Sequence, residues 1–105
     1  MEYNKLASLV DQLDGHLATI KLRSDPSREF LAQIEYCSNG YVYLFWVDKR
    51  TVSAYAETMT RVNADDVISL EQSDILDSDV STAYLGDDWK TALNDPDVFP
   101  QDSSE

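Results

Sequence analysis

A chain of 105 residues makes one modest domain, since single domains run from ~50 to 250 residues and a chain this short leaves no room for a second core. Its 43% hydrophobic and 27% charged residues are ordinary globular usage, which speaks against wholesale disorder and against a fibrous repeat. Eight Lys and Arg against 20 Asp and Glu leave a net charge of −12, so the field of the whole molecule repels nucleic acid and anionic membranes and attracts basic proteins and cations.

Taken in chain order, the first segment, Glu2 to Asp14, reads as a short amphipathic helix. Tyr3, Leu6, Leu9, Val10 and Leu13 recur at helical spacing, and Gly15 is the stop. After Gly15 the period changes to two. Ala18, Ile20 and Leu22 alternate with Thr19, Lys21 and Arg23, which predicts a strand over 16–23. Ser24-Asp25-Pro26-Ser27 reads as a turn. Phe30, Ala32, Ile34 and Tyr36 then mark a second strand over 28–36. Asn39-Gly40 predicts a type I′ hairpin, because both positions tolerate positive φ.

The stretch Tyr41 to Val47 is apolar on both faces, as expected of a central, doubly covered strand. Tyr41, Tyr43 and Phe45 share one face, and Val42, Leu44 and Trp46 share the other. Either both faces are core, or the tyrosine face is left for a partner or a second copy. Thr51 to Thr60 reads as a weaker strand, with a helix over 54–62 as the alternative. Asn63 to Asp66 is a tight turn, and Val67 to Glu71 a short last strand.

Charge divides the chain. Residues 1–72 hold 11 acids and 7 bases, whereas residues 73–105 hold 9 acids and 1 base. The expected organisation is a compact body over 1–72 and an acidic extension over 73–105. In the extension, Leu85, Trp89 and Leu93 fall at i, i+4 and i+8, which predicts a short helix near 88–94 stopped by Pro96. Its apolar residues either pack back on the body or form an acidic-hydrophobic recognition segment. Residues 101–105 read as disordered.

One helix followed by about five short strands resembles the Sm-like and SH3-like small barrels over residues 3–72. The resemblance rests on Leu17-Ala18-Thr19-Ile20-Lys21-Leu22, on Phe30-Leu31-Ala32-Gln33-Ile34-Glu35 and on Asp65-Asp66-Val67-Ile68-Ser69-Leu70. It implies a mainly β, α+β fold: an N-terminal helix, then a five-stranded antiparallel barrel. It assigns RNA binding to no residue, because the class's RNA-binding Asp and Asn positions have no counterparts in this sequence, and the Sm glycine is also missing, with Ala32 or Gln33 in its place.

Chemistry is sparsely represented. His16 is the sole histidine and sits at a helix-to-strand corner, so any His-assisted nucleophile would have to use it. Cys37 is the sole cysteine, excludes an intrachain disulfide and lacks a basic neighbour to activate it. One His and one Cys do not make a zinc site. Asp77, Asp79, Ser81 and Asp88 fall at EF-hand positions, but Thr82 stands where glycine is required. Gly15, Gly40 and Gly86 are too scattered for a phosphate loop. No catalytic residue, metal or cofactor is therefore expected. The N-terminus lacks a signal-peptide pattern and no apolar run spans a bilayer, so the expected location is cytoplasmic.

The expected function is a non-catalytic interaction module acting through its acidic surface on a basic protein, in the manner of immunity proteins or nucleic-acid mimics. Asp74, Asp77, Asp79, Asp87, Asp88, Asp95 and Asp97 are the expected contacts, with Trp89 as anchor and Tyr41, Tyr43 and Phe45 as a second contact face. The alternative is an Sm-like module that associates with RNA or self-assembles through edge strands, with Lys21, Arg23, Arg28, Lys49 and Arg50 as a local basic patch.

Overall fold

The computed structural model describes residues 1–101. Helix α1 spans Tyr3–Asp11, with the Glu2 carboxylate accepting from the Asn4 amide at its start. The chain leaves it through Asp14 and Gly15, both at positive φ (52° and 80°), which turns it into the first strand. The Met1 nitrogen donates to the Ala64 and Val67 carbonyls (2.9 and 2.8 Å) and pins the helix start to the body.

Among the described residues seven strands form one sheet: β1 (His16–Leu22), β2 (Asp25–Ser38), β3 (Tyr41–Asp48), β4 (Ser53–Tyr55), β5 (Thr60–Asn63), β6 (Val67–Leu76) and β7 (Ser81–Ala83). The order is β6-β1-β2-β3-β4-β7, and β5 pairs with the other end of β3. All pairs are antiparallel except β4 with β7. The coarse expectation of a mainly β chain with a helix at each end holds. The barrel of five strands does not, since the sheet has seven strands, six on an open path and β5 branching from β3.

The differences have local causes. Leu22 pairs directly with Asp25, so the turn is only Arg23-Ser24, and Asp25 to Ser27 are already strand. Asn39 and Gly40 both adopt positive φ (53° and 88°), as the hairpin requires. The stretch expected as one strand over 51–60 is neither one strand nor a helix. It breaks into β4 and β5, which pair with opposite ends of β3. The Asn63 side chain accepts from the Asp65 amide and starts a 3-10 turn over Ala64–Asp66, where a tight turn was expected. Strand β6 runs on through Gln72 and Ser73 to Leu76, because it pairs with β1 up to His16.

The core forms on the face carrying Val42, Leu44 and Trp46. Leu6 of α1, Ile20, Phe30, Val67 and Leu70 join them there, and the Phe30 and Trp46 rings lie 5.4 Å apart. Helix α1 touches β2, β6 and the 64–66 turn. A smaller cluster of Leu17, Leu31, Val47 and Ala54 lies apart from it, with Phe45, Ile75 and Val80 against it. The two clusters are the two faces of the sheet, because side chains alternate along a strand.

Past β7, the five-residue helix α2 (Trp89–Leu93) has no fully buried side chain, though half-buried Leu93 packs against the main core. The chain then turns at Asp95-Pro96-Asp97 and delivers Val98 and Phe99 into the main core, each less than a tenth exposed. Of the two alternatives for the extension's apolar residues, back-packing describes Val98, Phe99 and half-buried Leu93, while Trp89 is 46% exposed. Of the end expected to be disordered, 102–105 lie outside the described residues. Gln101 is placed, and its Nε2 donates to the Phe99 carbonyl (2.8 Å).

Candidate functional site

The seven aspartates expected as contacts separate into two groups. Asp74 on β6, Asp79 in the 3-10 turn after β6, and Asp87 and Asp88 before α2 are exposed. None of these four has an ion pair among the described residues. They share the segment 74–89 with exposed Trp89 and with Tyr84, which is 73% exposed. The Lys90 ammonium lies 5.3 Å from the Trp89 ring centroid, the only base in the segment's neighbourhood along the chain from 62 to 90.

Asp95 and Asp97 pair with the chain's own arginines at the surface, the Asp97 side chain remaining 76% exposed. Asp97 accepts from Arg28 Nη1 (2.8 Å), and Asp95 accepts from Arg50 Nη2. Arg50 is held from the other side by Asp48 (2.9 Å), and Arg28 by Asp25 (3.3 Å). The Arg50 hydrogen bond is the first cause that keeps the Asp48 carboxyl below its ordinary range. For Asp95 the leading cause is the Asp97 amide, followed by Arg50. The Arg28–Asp97 and Arg50–Asp95 contacts join residues 69 and 45 apart in sequence. No local pattern announces them.

Asp77 is different again. It is half-buried in the turn beside His16, and its Oδ1 has no hydrogen-bond partner. Desolvation pushes its carboxyl up, with the His16 charge pulling the other way. His16 itself is tied to the backbone: its Nδ1 lies 2.9 Å from the Ser73 carbonyl oxygen. Among the described residues no group of three or more His, Cys, Asp or Glu is placed to hold a metal ion. Cys37 is half-buried, and burial, then the Asp11 charge, push its thiol up, away from the thiolate a nucleophile needs.

The aromatic face of β3 is also divided. Helix α1 packs on the opposite face, through Leu6. Phe45 packs against the smaller cluster. Tyr43 stacks on its cross-strand neighbour Tyr36 at 4.5 Å and 14°, and Tyr36 is 49% exposed. Arg61, opposite Tyr43 on β5, places its guanidinium 4.4 Å from the Tyr41 ring centroid. Tyr36, Tyr41, Tyr43 and Arg61 thus form a half-exposed patch.

Three members of the expected basic patch come together. Arg28, Lys49 and Arg50 line one cleft of about 330 Å³ with Glu29, Asp48 and Asp97; Lys21 and Arg23 do not reach it. Lys49 Nζ donates to the Glu29 carbonyl (2.6 Å) and has no carboxylate partner among the described residues. The presence of bases in one place was legible in Lys49-Arg50; that two of them face the chain's own aspartates was not. Comparison of the chain with protein-family models, with curated proteins and with solved structures finds no match in any of the three.

Proposed function

We propose that this chain is a non-catalytic interaction module that binds a basic protein through the surface of segment 74–89. What supports the reading is one observation: Asp74, Asp79, Asp87 and Asp88 are exposed, without ion pairs among the described residues, on the same chain segment as the exposed rings of Tyr84 and Trp89. Unpaired carboxylates steer a cationic partner from a distance, and the aromatic rings supply the contact that holds it. An immunity-like or nucleic-acid-mimic role uses this physics. Asp95 and Asp97 fall out of the contact set, because their charges meet Arg50 and Arg28.

The test is capture of basic proteins by the immobilised full chain across a salt series. Retained proteins should elute as salt rises past the range where exposed charges are screened. Asp87→Asn with Asp88→Asn, and separately Trp89→Ala, should abolish retention without changing the melting temperature. Retention that survives both substitutions, or that ignores salt, would sink the reading.

The runner-up, a small-barrel module that self-assembles or associates with RNA, draws support from strand order. Helix α1 followed by short strands, with a 3-10 turn over Ala64–Asp66 before β6, resembles the Sm-like and SH3-like class, in which a tight turn commonly precedes the last strand; β4 and β7 would be additions. Strands β6 and β7 end the path and offer edges for self-pairing. A gel shift with single-stranded RNA at low salt, alongside sedimentation of the chain alone, separates this reading from the first.

A further inference from the structure

The turn Asp95–Phe99 is bound to the body by side chains alone. Its backbone hydrogen bonds stay within itself and α2: Asp95 to Ala92 (3.3 Å), Val98 to Asp95 (3.2 Å) and Phe99 to Asp95 (2.9 Å). The Asp97 amide donates to the Asp95 carboxylate (3.0 Å). Among the described residues none of these amides reaches a strand. What holds the turn is two exposed arginine contacts and the insertion of Val98 and Phe99, with Phe99 6.1 Å from the Tyr55 ring. Helix α2, which precedes it, has no fully buried side chain and meets the core through half-buried Leu93.

The body side of this contact is unlike the rest of the surface. In a chain of net charge −12, three of the eight bases surround one cleft beside Asp97 and Val98. The turn satisfies Arg28 and Arg50 and leaves Lys49 without a carboxylate. The cleft is still open by about 330 Å³. We infer that residues 95–99 are a displaceable internal ligand, and that the site they fill docks a protein segment of the same chemistry: two carboxylates two residues apart, then an aliphatic and an aromatic residue, with a third carboxylate to reach Lys49. The turn's own pairings select this occupant: Asp97 meets Arg28, Asp95 meets Arg50, and Lys49 is left without a carboxylate partner among the described residues, although Glu29 and Asp48 line the same cleft. The inference is independent of the acidic-surface reading, which concerns another face and a partner of opposite charge.

The probe is a labelled peptide of residues 94–101, Asn-Asp-Pro-Asp-Val-Phe-Pro-Gln, titrated against the full chain. Phe99→Ala empties the apolar part of the site and should bind the peptide. The parent, whose site is filled from within, should bind at least about tenfold more weakly, because apparent affinity falls with the fraction of open site. Adding Arg28→Gln and Arg50→Gln, or replacing the peptide's Phe by Ala, should remove binding. Equal binding by parent and variant, or none by a variant that keeps its β circular dichroism, overturns the proposal. Hydrogen exchange on the unaltered chain gives a second decision that does not depend on the variant folding. Residues 95–99 should open independently of β1–β3, and faster as salt rises; exchange only through global unfolding would make them ordinary core.

Discussion

Phe30 and Phe99 lie in the same apolar cluster and are held there by different means. Phe30 sits on β2, paired with Ile20 of β1, so strand hydrogen bonds fix its backbone before its ring finds the core. Phe99 sits at the end of a self-contained turn, which its ring, Val98 and two arginine contacts hold in place. Equal burial therefore does not mean equal coupling to the fold. Removing the first ring strikes the cooperative unit; removing the second releases an appendage.

The sharpest test of that contrast is the pair of alanine substitutions. Phe30→Ala should cost about 3–5 kcal/mol, the usual loss for a fully buried ring whose cavity cannot collapse. Thermal unfolding should then start well below that of the parent. Phe99→Ala should cost about 1.5–3 kcal/mol, the transfer term alone, because the turn can swing away and leave no cavity. Matching losses in calorimetry would erase the distinction between the two regions.

A pH titration separates them next. Asp48 and Asp95 have folded-state carboxyls held below the ordinary value of ~3.9, so the stability they add is present above that pH and is lost as pH falls through their folded pKa values. Asp77, raised by desolvation, runs the other way: its charge opposes folding at neutral pH, and protonation relieves the cost. On acidification the Val98 methyl resonances should move to solvent-exposed positions before those of Val42. Asp77→Asn should raise the melting temperature at pH 7, and the gain should vanish near pH 3. The smallest effect on stability belongs to Trp89→Ala, within about 0.5 kcal/mol because the ring is half in water. Its consequence should be read in partner retention instead.

Legibility in the sequence follows the range of the interactions. Strands β1 and β2 stand on alternation, β3 on a continuous apolar run and their hairpin on Asn39-Gly40, signals confined to a few residues, and they were readable. The early start of β2 was hidden by Pro26 and two serines, which look like a turn but extend along the strand. Ser81-Thr82-Ala83 carries no strand pattern. It becomes β7 because β4 offers it an edge, Ser53 facing Ser81. Of the candidate contacts, exposure of Asp87 and Asp88 could be read from their place before a short helix. The diversion of Asp95 and Asp97 to Arg50 and Arg28 could not, since those partners meet only after the sheet has formed.

The place of β1 in the sheet also governs the order of events as the chain folds. It lies between β2, its immediate successor, and β6, whose Leu76 pairs with His16 at the far end of the ladder. The β1–β2–β3 meander can form from near neighbours, with hairpins closing in about 1–10 μs. Until β6 arrives, the outer edge of β1 stands bare, with Ile20 and Leu22 beside unsatisfied amides. Non-local pairing of this kind belongs to chains that fold in milliseconds to seconds. During that interval the edge is open to another copy of the same strand, so refolding yield should fall with protein concentration even though the finished molecule covers that edge with β6.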